Sequence, residues 1–322
     1  MEYRRMGRTG LKLSAISLGA WVTFGAQVDE RAAVETLHKA YDLGVNYFDN
    51  ADVYADGRAE TVMGKAIRDL PRESLVISSK VFWPTMPGPN GRGLSRKHIF
   101  ESCHASLQRL GLEHLDLYFC HRFDSETTIE ETVRAMDDLV HQGKVIYWGT
   151  SEWRAGQIAQ AHGIARADGL YPPMVEQPHY NMLVRRAVED ELASLATDLG
   201  LGMVTWSPLR SGLLSGKYGS GIPEGSRFSL RDYGWLHDLL SEENLGKVRE
   251  LGAVAADLGV TLAQLAIGWL LRLPRVTSVI TGATKVSQVE ENVRAVEVVP
   301  LLTVEVLERI ERILRNKPSR EG

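Results

Sequence analysis

Apolar residues in this chain follow two alternating rhythms. Short solid runs read as buried strands, and longer stretches with an apolar residue every three or four positions read as amphipathic helices. The first run, Ala15-Ile16-Ser17-Leu18, precedes a helix from about 29 to 43, with Val34, Leu37 and Tyr41 on one face and Gly44 as its stop. The second, Val45-Asn46-Tyr47-Phe48, ends in Asp49, and its helix near 59–70 aligns Val62, Ala66 and Leu70. The third, Leu75 to Ser79, ends in Lys80. A loop rich in Pro and Gly (83–93) then leads to a helix capped by Ser95, which carries Ile99, Cys103, Leu107 and Leu110 and stops at Gly111.

The fourth run, Leu115 to Cys120, ends in His121. Thr128 and Glu131 predict a capping box for a helix carrying Ile129, Val133, Met136 and Val140, which Gly143 ends. Strands five to eight are expected at 145–148, 174–177, 203–206 and 277–280, separated by helical patterns over 153–167, 184–199, 242–257 and 261–271. Ahead of them, Gly7-Arg8-Thr9-Gly10 between two short runs predicts a small N-terminal hairpin.

Connections this long rule out hairpins between the eight strands and require parallel crossovers. A doubly wound sheet would also alternate, but the GxGxxG fingerprint after the first strand is missing, and so is a P-loop. Eight repeats favour an α/β fold of the closed (β/α)8 or TIM-barrel type, read as a single domain over 1–322. The spacing is irregular only after strand seven, where 207–241 supplies an extended Gly-rich loop of the kind that forms lids and ligand-binding segments.

Composition narrows the function classes. A net charge of -4 and a pI near 6.2 give no basic face for nucleic acid. No apolar run reaches the roughly 18 residues of a membrane span, and the amino terminus has no apolar signal region, so a cytoplasmic protein that is not membrane-embedded is expected. Cys103 and Cys120 lie outside any CxxC spacing and read as buried bystanders, with no metal site expected.

Against that frame three ionisable residues stand out. Asp49, Lys80 and His121 each end a strand, on three neighbours of the ring, and Tyr54 follows Asp49 by five residues. Barrel enzymes carry their chemistry at these C-terminal strand ends. A tyrosine hydroxyl is a poor acid at neutral pH, but a nearby ammonium favours the phenolate and eases proton release. Lys80 is placed to do this, Asp49 to hold Lys80, and His121 to donate to a carbonyl oxygen. Singly, each residue has a plainer reading as a cap, a packing ring, a solvated lysine or a structural histidine; the set of four suits carbonyl protonation. Gly282-Ala283-Thr284-Lys285, after strand eight and before a helix over 286–293, is either a phosphate-binding turn or an ordinary βα turn. Spacings such as HxH or HExxH, which a metal-dependent hydrolase needs, are absent.

The stretch from Asp49 to Tyr54, with Trp206-Ser207-Pro208-Leu209, Ser215-Gly216-Lys217-Tyr218 and Gly282-Ala283-Thr284, resembles the aldo-keto reductase family. Within it the chain is most similar to the branch of voltage-gated potassium-channel beta subunits and their bacterial relatives, from about residue 3 to 317. The resemblance implies a barrel and an NADP(H)-dependent reduction of aldehydes or ketones, with Asp49, Tyr54, Lys80 and His121 as the family tetrad and Tyr54 as acid. Channel beta subunits carry Asn at the position of His121, so this chain follows the working reductases there. The resemblance also places Trp206 against the nicotinamide, Ser151, Gln177 and Asp49 near it, and Trp21 and Gln27 beside the cofactor. Ser207, Leu209, Ser211 and Lys217 would follow the pyrophosphate, and Arg227, Gly282, Thr284, Gln288, Glu291 and Asn292 the adenosine end. Glu152 departs from the Asn or Arg of relatives, which leaves its contact open. Lys217, Arg227 and Lys285 offer cations for a 2'-phosphate and favour NADPH over NADH. The branch also implies a possible homo-tetramer and an alternative role, a redox-sensing accessory subunit of a membrane channel. Trp21, Trp83, Arg122, Phe123 and Trp153 are candidates for the substrate end, with Arg122 either a cation for an anionic substrate or half of a structural ion pair.

Overall fold

In the computed structural model, residues 1–21, 23–25, 28–219, 221–224, 226–229 and 238–318 are described. The chain opens with an antiparallel hairpin of β1 (Tyr3–Arg5) and β2 (Lys12–Ser14). Eight parallel strands then close into a barrel: β3 (Ile16–Gly19), β4 (Tyr47–Asp49), β5 (Val76–Val81), β6 (Leu115–Cys120), β7 (Val145–Ser151), β8 (Val175–Gln177), β9 (Gly202–Thr205) and β10 (Val276–Thr281). Each pairs with its sequence neighbours, and β10 returns to β3 with Val279 opposite Ile16.

The two faces of each strand serve two cores. Inward-pointing Tyr47, Val76, Leu117, Phe119, Val175, Val204 and Ile280 fill the barrel, and Met6 and Leu13 of the hairpin join them from below. The hairpin therefore plugs the N-terminal end. Arg4 Nη1 donates to the Val276 carbonyl at 2.9 Å, and Arg8 N to the Gly200 carbonyl at 2.8 Å. Gly7 sits at a φ of 53°, and a Cβ there would meet the Gly200 oxygen at 2.1 Å, so this approach requires glycine. With the lower mouth filled, the upper one is left for a ligand.

The outer core lies between strands and helices. These are α1 (Glu30–Asp42), α2 (Arg58–Ile67), α3 (Arg96–Leu110), α4 (Ile129–His141), α5 (Ala155–Asp168), α6 (Ala193–Leu199), α7 (Glu242–Asp257), α8 (Leu262–Leu271), α9 (Val286–Val293) and α10 (Val304–Leu314). Every residue of α8 is buried. No single described helix is long and apolar enough to cross a membrane.

Local expectations met three corrections. The box expected at α4 is half-formed: Thr128 caps the Glu131 amide, but the Glu131 carboxylate accepts from the Arg96 amide at 2.9 Å instead of turning back. The helix expected over 184–199 is broken into a π-helical turn at Ala187–Glu191 and the short α6, because Glu189 is drawn into a buried ion network. And the helix α10 lies beyond the elements that the periodicity singled out.

Candidate active site

Parallel pairing in register brings the tips of β4, β5 and β6 side by side, with Asp49 opposite Ser78 and Lys80 opposite Phe119. Lys80 is fully buried, Asp49 is 3% exposed and His121 is 7% exposed. A buried ammonium requires acceptors, and Lys80 has one for each proton. Its Nζ donates to Asp49 Oδ2 at 2.7 Å, to the Asn50 carbonyl at 2.6 Å and to the Tyr54 hydroxyl at 3.3 Å. Burial opposes the Lys80 charge, but Asp49 and the Tyr54 oxygen outweigh it and hold the ammonium above its ordinary range.

Asp49 is held from three strands. Its Oδ1 accepts from Ser78 Oγ at 2.8 Å, Gln177 Nε2 at 3.0 Å and the Tyr47 hydroxyl at 3.2 Å. The carboxylate cannot swing away from Lys80 without breaking these bonds. Tyr54 hangs over the pair from a turn (Tyr54–Gly57) in which Ala55 and Asp56 adopt φ of 50° and 55°, a conformation that costs on the order of 1 kcal/mol or more per non-glycine residue. Its hydroxyl is buried although the residue is partly exposed.

Lys80 acts on Tyr54 in the expected direction, favouring the phenolate, and burial acts against it. Burial is the larger influence and raises the phenol above its ordinary value; Lys80 and Arg122 pull it down without cancelling that. Tyr54 thus keeps its proton at neutral pH. Because its oxygen accepts from Lys80, that proton is left to point elsewhere. The His121 ring meets Tyr54 edge-on, with centroids 5.8 Å apart. Burial first, then Lys80 and Arg122, push His121 well below its ordinary range, so it is a neutral imidazole, and its Nδ1 is buried with no hydrogen-bond partner among the described residues.

The other singled-out residues sort by place. Ser151 Oγ donates to the Gln177 carbonyl at 2.9 Å, which joins both to the Asp49 end. The Trp206 indole stacks on His179 with centroids 4.2 Å apart, and Trp21 meets it edge-on at 5.9 Å. Glu152 now has a contact: its Oε1 accepts from Trp206 Nε1 at 3.0 Å and from the His179 amide at 2.5 Å, bracing the indole from the side. Residue type alone carried no signal for this brace, which joins the ends of β7 and β9. Asn50, whose backbone carbonyl holds Lys80, was equally invisible, since any residue supplies a carbonyl.

The loop after β9 is a tight cradle. Ser207, Arg210 and Ser211 all have positive φ, of 55°, 48° and 58°, and Gly212 follows at 92°. Three non-glycine residues in that region within five positions are strain of the sort found around ligands. A Cβ on Gly212 would meet Lys217 Cε at 3.1 Å and Nζ at 3.2 Å, so the Lys217 amine folds over the cradle. Leu209 opens the 3-10 turn at Arg210–Ser215. At the far side Thr284 donates to Gln288 Oε1 from both its amide (2.7 Å) and its hydroxyl (3.1 Å). Asn292 Nδ2 donates to the Gly282 carbonyl at 3.5 Å, and Glu291 lines a groove with Ser287 and Arg294. Lys285 is exposed at the start of α9. The strained turn with the Lys217 amine against it, the Trp206 indole, and the Gln288 and Asn292 amides are of the types that suit the anionic, ring and adenosine parts of a dinucleotide. Gln27 and the Arg227 side chain lie outside the described residues.

One aromatic candidate is corrected: Trp153 is 3% exposed within the outer core, edge-on at 5.1 Å to Phe123, which is half-buried against that core. Trp83, 37% exposed, stands at the mouth, 6.4 Å from the His121 ring. Among the described residues no cluster of His, Cys, Asp or Glu is assembled for a metal.

Comparison with known proteins agrees with this architecture. The aldo/keto reductase family model matches residues 15–315. A relative from Arabidopsis thaliana, named "Probable voltage-gated potassium channel subunit beta", is 53% identical over 324 residues, covering 99% of this chain and 98% of that protein. One of the same name from Oryza sativa subsp. japonica is 51% identical with the same coverage. By closed barrel, family match and full-length likeness, this chain belongs to the aldo/keto reductase family.

Proposed function

We propose that this protein is an NADP(H)-dependent carbonyl reductase that converts aldehydes or ketones to alcohols, with Tyr54 as the proton donor. The observation that carries this reading is the Lys80 ammonium, locked between Asp49 and the Asn50 carbonyl and touching the Tyr54 oxygen with its remaining proton. Such an arrangement stabilises the phenolate left after proton transfer, at the moment the charge appears. His121, held neutral by burial, donates to the same carbonyl oxygen and orients it without adding a charge. Asp49 fixes Lys80, and the seal of buried residues around them keeps water from competing for the proton.

When bound, the reduced nicotinamide supplies a hydride to the carbonyl carbon, and Tyr54 completes the alcohol by protonating oxygen. Trp206, braced by Glu152 and His179, offers a flat face to hold that ring. Ser151 and Gln177 are placed for its carboxamide. Ser207, Leu209, Ser211 and Lys217 follow the diphosphate, with Gly282, Thr284, Gln288, Glu291 and Asn292 at the adenosine end. Lys217 and Lys285, joined in sequence by Arg227, favour the phosphorylated cofactor. The reading takes 1–322 as one barrel domain working in the cytoplasm.

The test is NADPH oxidation against an aldehyde panel. Tyr54→Phe should lower kcat by about 10²–10⁴-fold, the usual contribution of a positioned general acid, while NADPH still binds by fluorescence titration. Unchanged turnover in the variant would overturn the assignment. The names of the two plant relatives support a second reading, in which the cofactor is a redox signal and the chain, as a homo-tetramer, is an accessory subunit of a channel. Steady turnover with simple aldehydes, and no channel recovered in a partner screen, would exclude it.

A further inference from the structure

The tetrad does not account for all the charge at the barrel mouth. Arg122, directly after His121, is half-buried on the rim. Its Nη1 donates to the His121 carbonyl at 2.5 Å and lies 3.5 Å from Ser151 Oγ. Its guanidinium carbon is 5.7 Å from the Trp83 ring centre and 6.0 Å from that of Trp206, so the group bridges the two indoles. Its charge reaches Tyr54 and His121, whose pKa values it lowers.

Elsewhere in the barrel several arginines removed from water meet carboxylates, while the half-buried Arg210 meets the His179 ring. Arg72 pairs with Asp116, Arg109 with Glu60, and Arg185 with Glu189 and Glu311. Arg122 pairs with none among the described residues. The structural ion pair that the sequence left open is therefore not formed among the described residues. Nη1 is engaged by two oxygens of the chain, but Nε and Nη2 hydrogen-bond to no described residue. These two N–H groups form the side of the guanidinium that matches two oxygens of a carboxylate or phosphate. The flanking indoles exclude water from the cation and strengthen its pull on an anion.

We propose that Arg122 is the subsite for an anionic group on the substrate, so that the carbonyl compound reduced here carries a carboxylate or phosphate next to its reacting end. The proposal rests on the reductase reading above and specifies its substrate class. The carbonyl oxygen lies under Tyr54 and His121, and the anion forks onto Nε and Nη2 at the Trp83 side of the mouth. The reaction balances as before, since the anion is bound and unchanged.

The experiment compares matched substrates with NADPH: 4-carboxybenzaldehyde against its neutral methyl ester, and glyceraldehyde 3-phosphate against glyceraldehyde. Wild type should favour at least one charged member by roughly tenfold or more in kcat/KM, the scale of one charged hydrogen bond; which pair shows it identifies the anion as carboxylate or phosphate. Arg122→Gln should collapse that ratio toward one, and Arg122→Lys should retain part of it. If neither variant folds, wild type alone decides, because raising the ionic strength from about 20 to about 500 mM should shrink the preference. Neutral aldehydes reduced with no preference for the charged partners, or a preference that survives Arg122→Gln, would overturn the subsite and leave the reductase reading standing. No turnover of any aldehyde would remove both.

Discussion

Two buried ion networks sit in this barrel, and they are built to opposite rules. Behind β8 and β9, Arg185 and Arg272 meet Glu189 and Glu311. Glu189 accepts from Arg185 at 2.7 Å, Arg272 at 2.8 Å and Tyr180 at 2.5 Å, and Glu311 takes two bonds from Arg185 at 2.7 and 2.8 Å. Two cations face two anions, with the Trp269 ring 3.4 Å from the Arg272 guanidinium. Burial opposes the Glu189 charge, but its arginines hold that carboxyl below its ordinary range. The network closes on itself, apart from Arg185 Nε, and ties the π-helical turn and α10 to α8. Around Lys80 the arrangement stays open: one ammonium faces one carboxylate and leans on a neutral phenol, and among the described residues the His121 Nδ1 is unpartnered and Arg122 has no counter-charge. A closed network stabilises the fold, whereas an open one leaves bonding capacity for a reacting molecule.

The sharpest way to break this comparison is to remove the cation from each. Lys80→Met should lower kcat by about 10²–10⁴-fold, because the phenolate of Tyr54 loses its support; steady-state NADPH oxidation on folded variant checks it. In the closed network, Glu189→Ala takes the carboxylate from the half-buried Arg272 while Arg185 keeps Glu311, and should cost about 1–3 kcal/mol in a denaturant titration. The kcat of the protein that remains folded should stay within about twofold, since none of these residues reaches the tetrad. Loss of turnover in step with Glu189 truncation would show that the networks are not separate.

A third group gives an effect with a definite sign. Asp52, 2% exposed, is pushed up to about 7, by burial above all, with the nearby Glu60 adding to it and the Ser102 hydroxyl opposing. Its folded-state pKa lies above the unfolded value of about 3.9, so the folded protein binds the extra proton. Stability from this group is present below about pH 4 and is lost as pH rises toward 7. Asp52→Asn should therefore gain on wild type between pH 5 and 8, by up to roughly 2–4 kcal/mol at about 1.4 kcal/mol for each tenfold change in proton affinity. Denaturant titrations of both proteins at the two pH values check it; a variant that loses ground at pH 8 would contradict the sign.

The contrast also explains what the sequence disclosed. Asp49, Lys80 and His121 were visible because a strand end is marked by the end of an apolar run, and a parallel barrel puts consecutive ends together. Helix starts followed from the caps Ser95 and Thr128, whose side chains accept the His98 and Glu131 amides. The closed network was not visible, because Arg185 and Glu311 are 126 residues apart and each resembles an ordinary surface charge until the fold buries it. Glu131, Glu152 and the broken helix at Glu189 share that cause: a long-range partner overrode a local preference. The opposing effect of burial at Tyr54 was invisible for a related reason, since sequence displays the nearby ammonium but not the depth at which the hydroxyl lies.

The most direct measurement follows isotope through the proposed reaction. With NADPH carrying deuterium at C4 on the transferred face, wild type should yield an alcohol with one deuterium on the carbinol carbon, and Tyr54→Phe, still binding NADPH, should yield almost none in the same time. Labelled alcohol formed by Tyr54→Phe at the wild-type rate, or no label transfer by the wild type, would contradict the account.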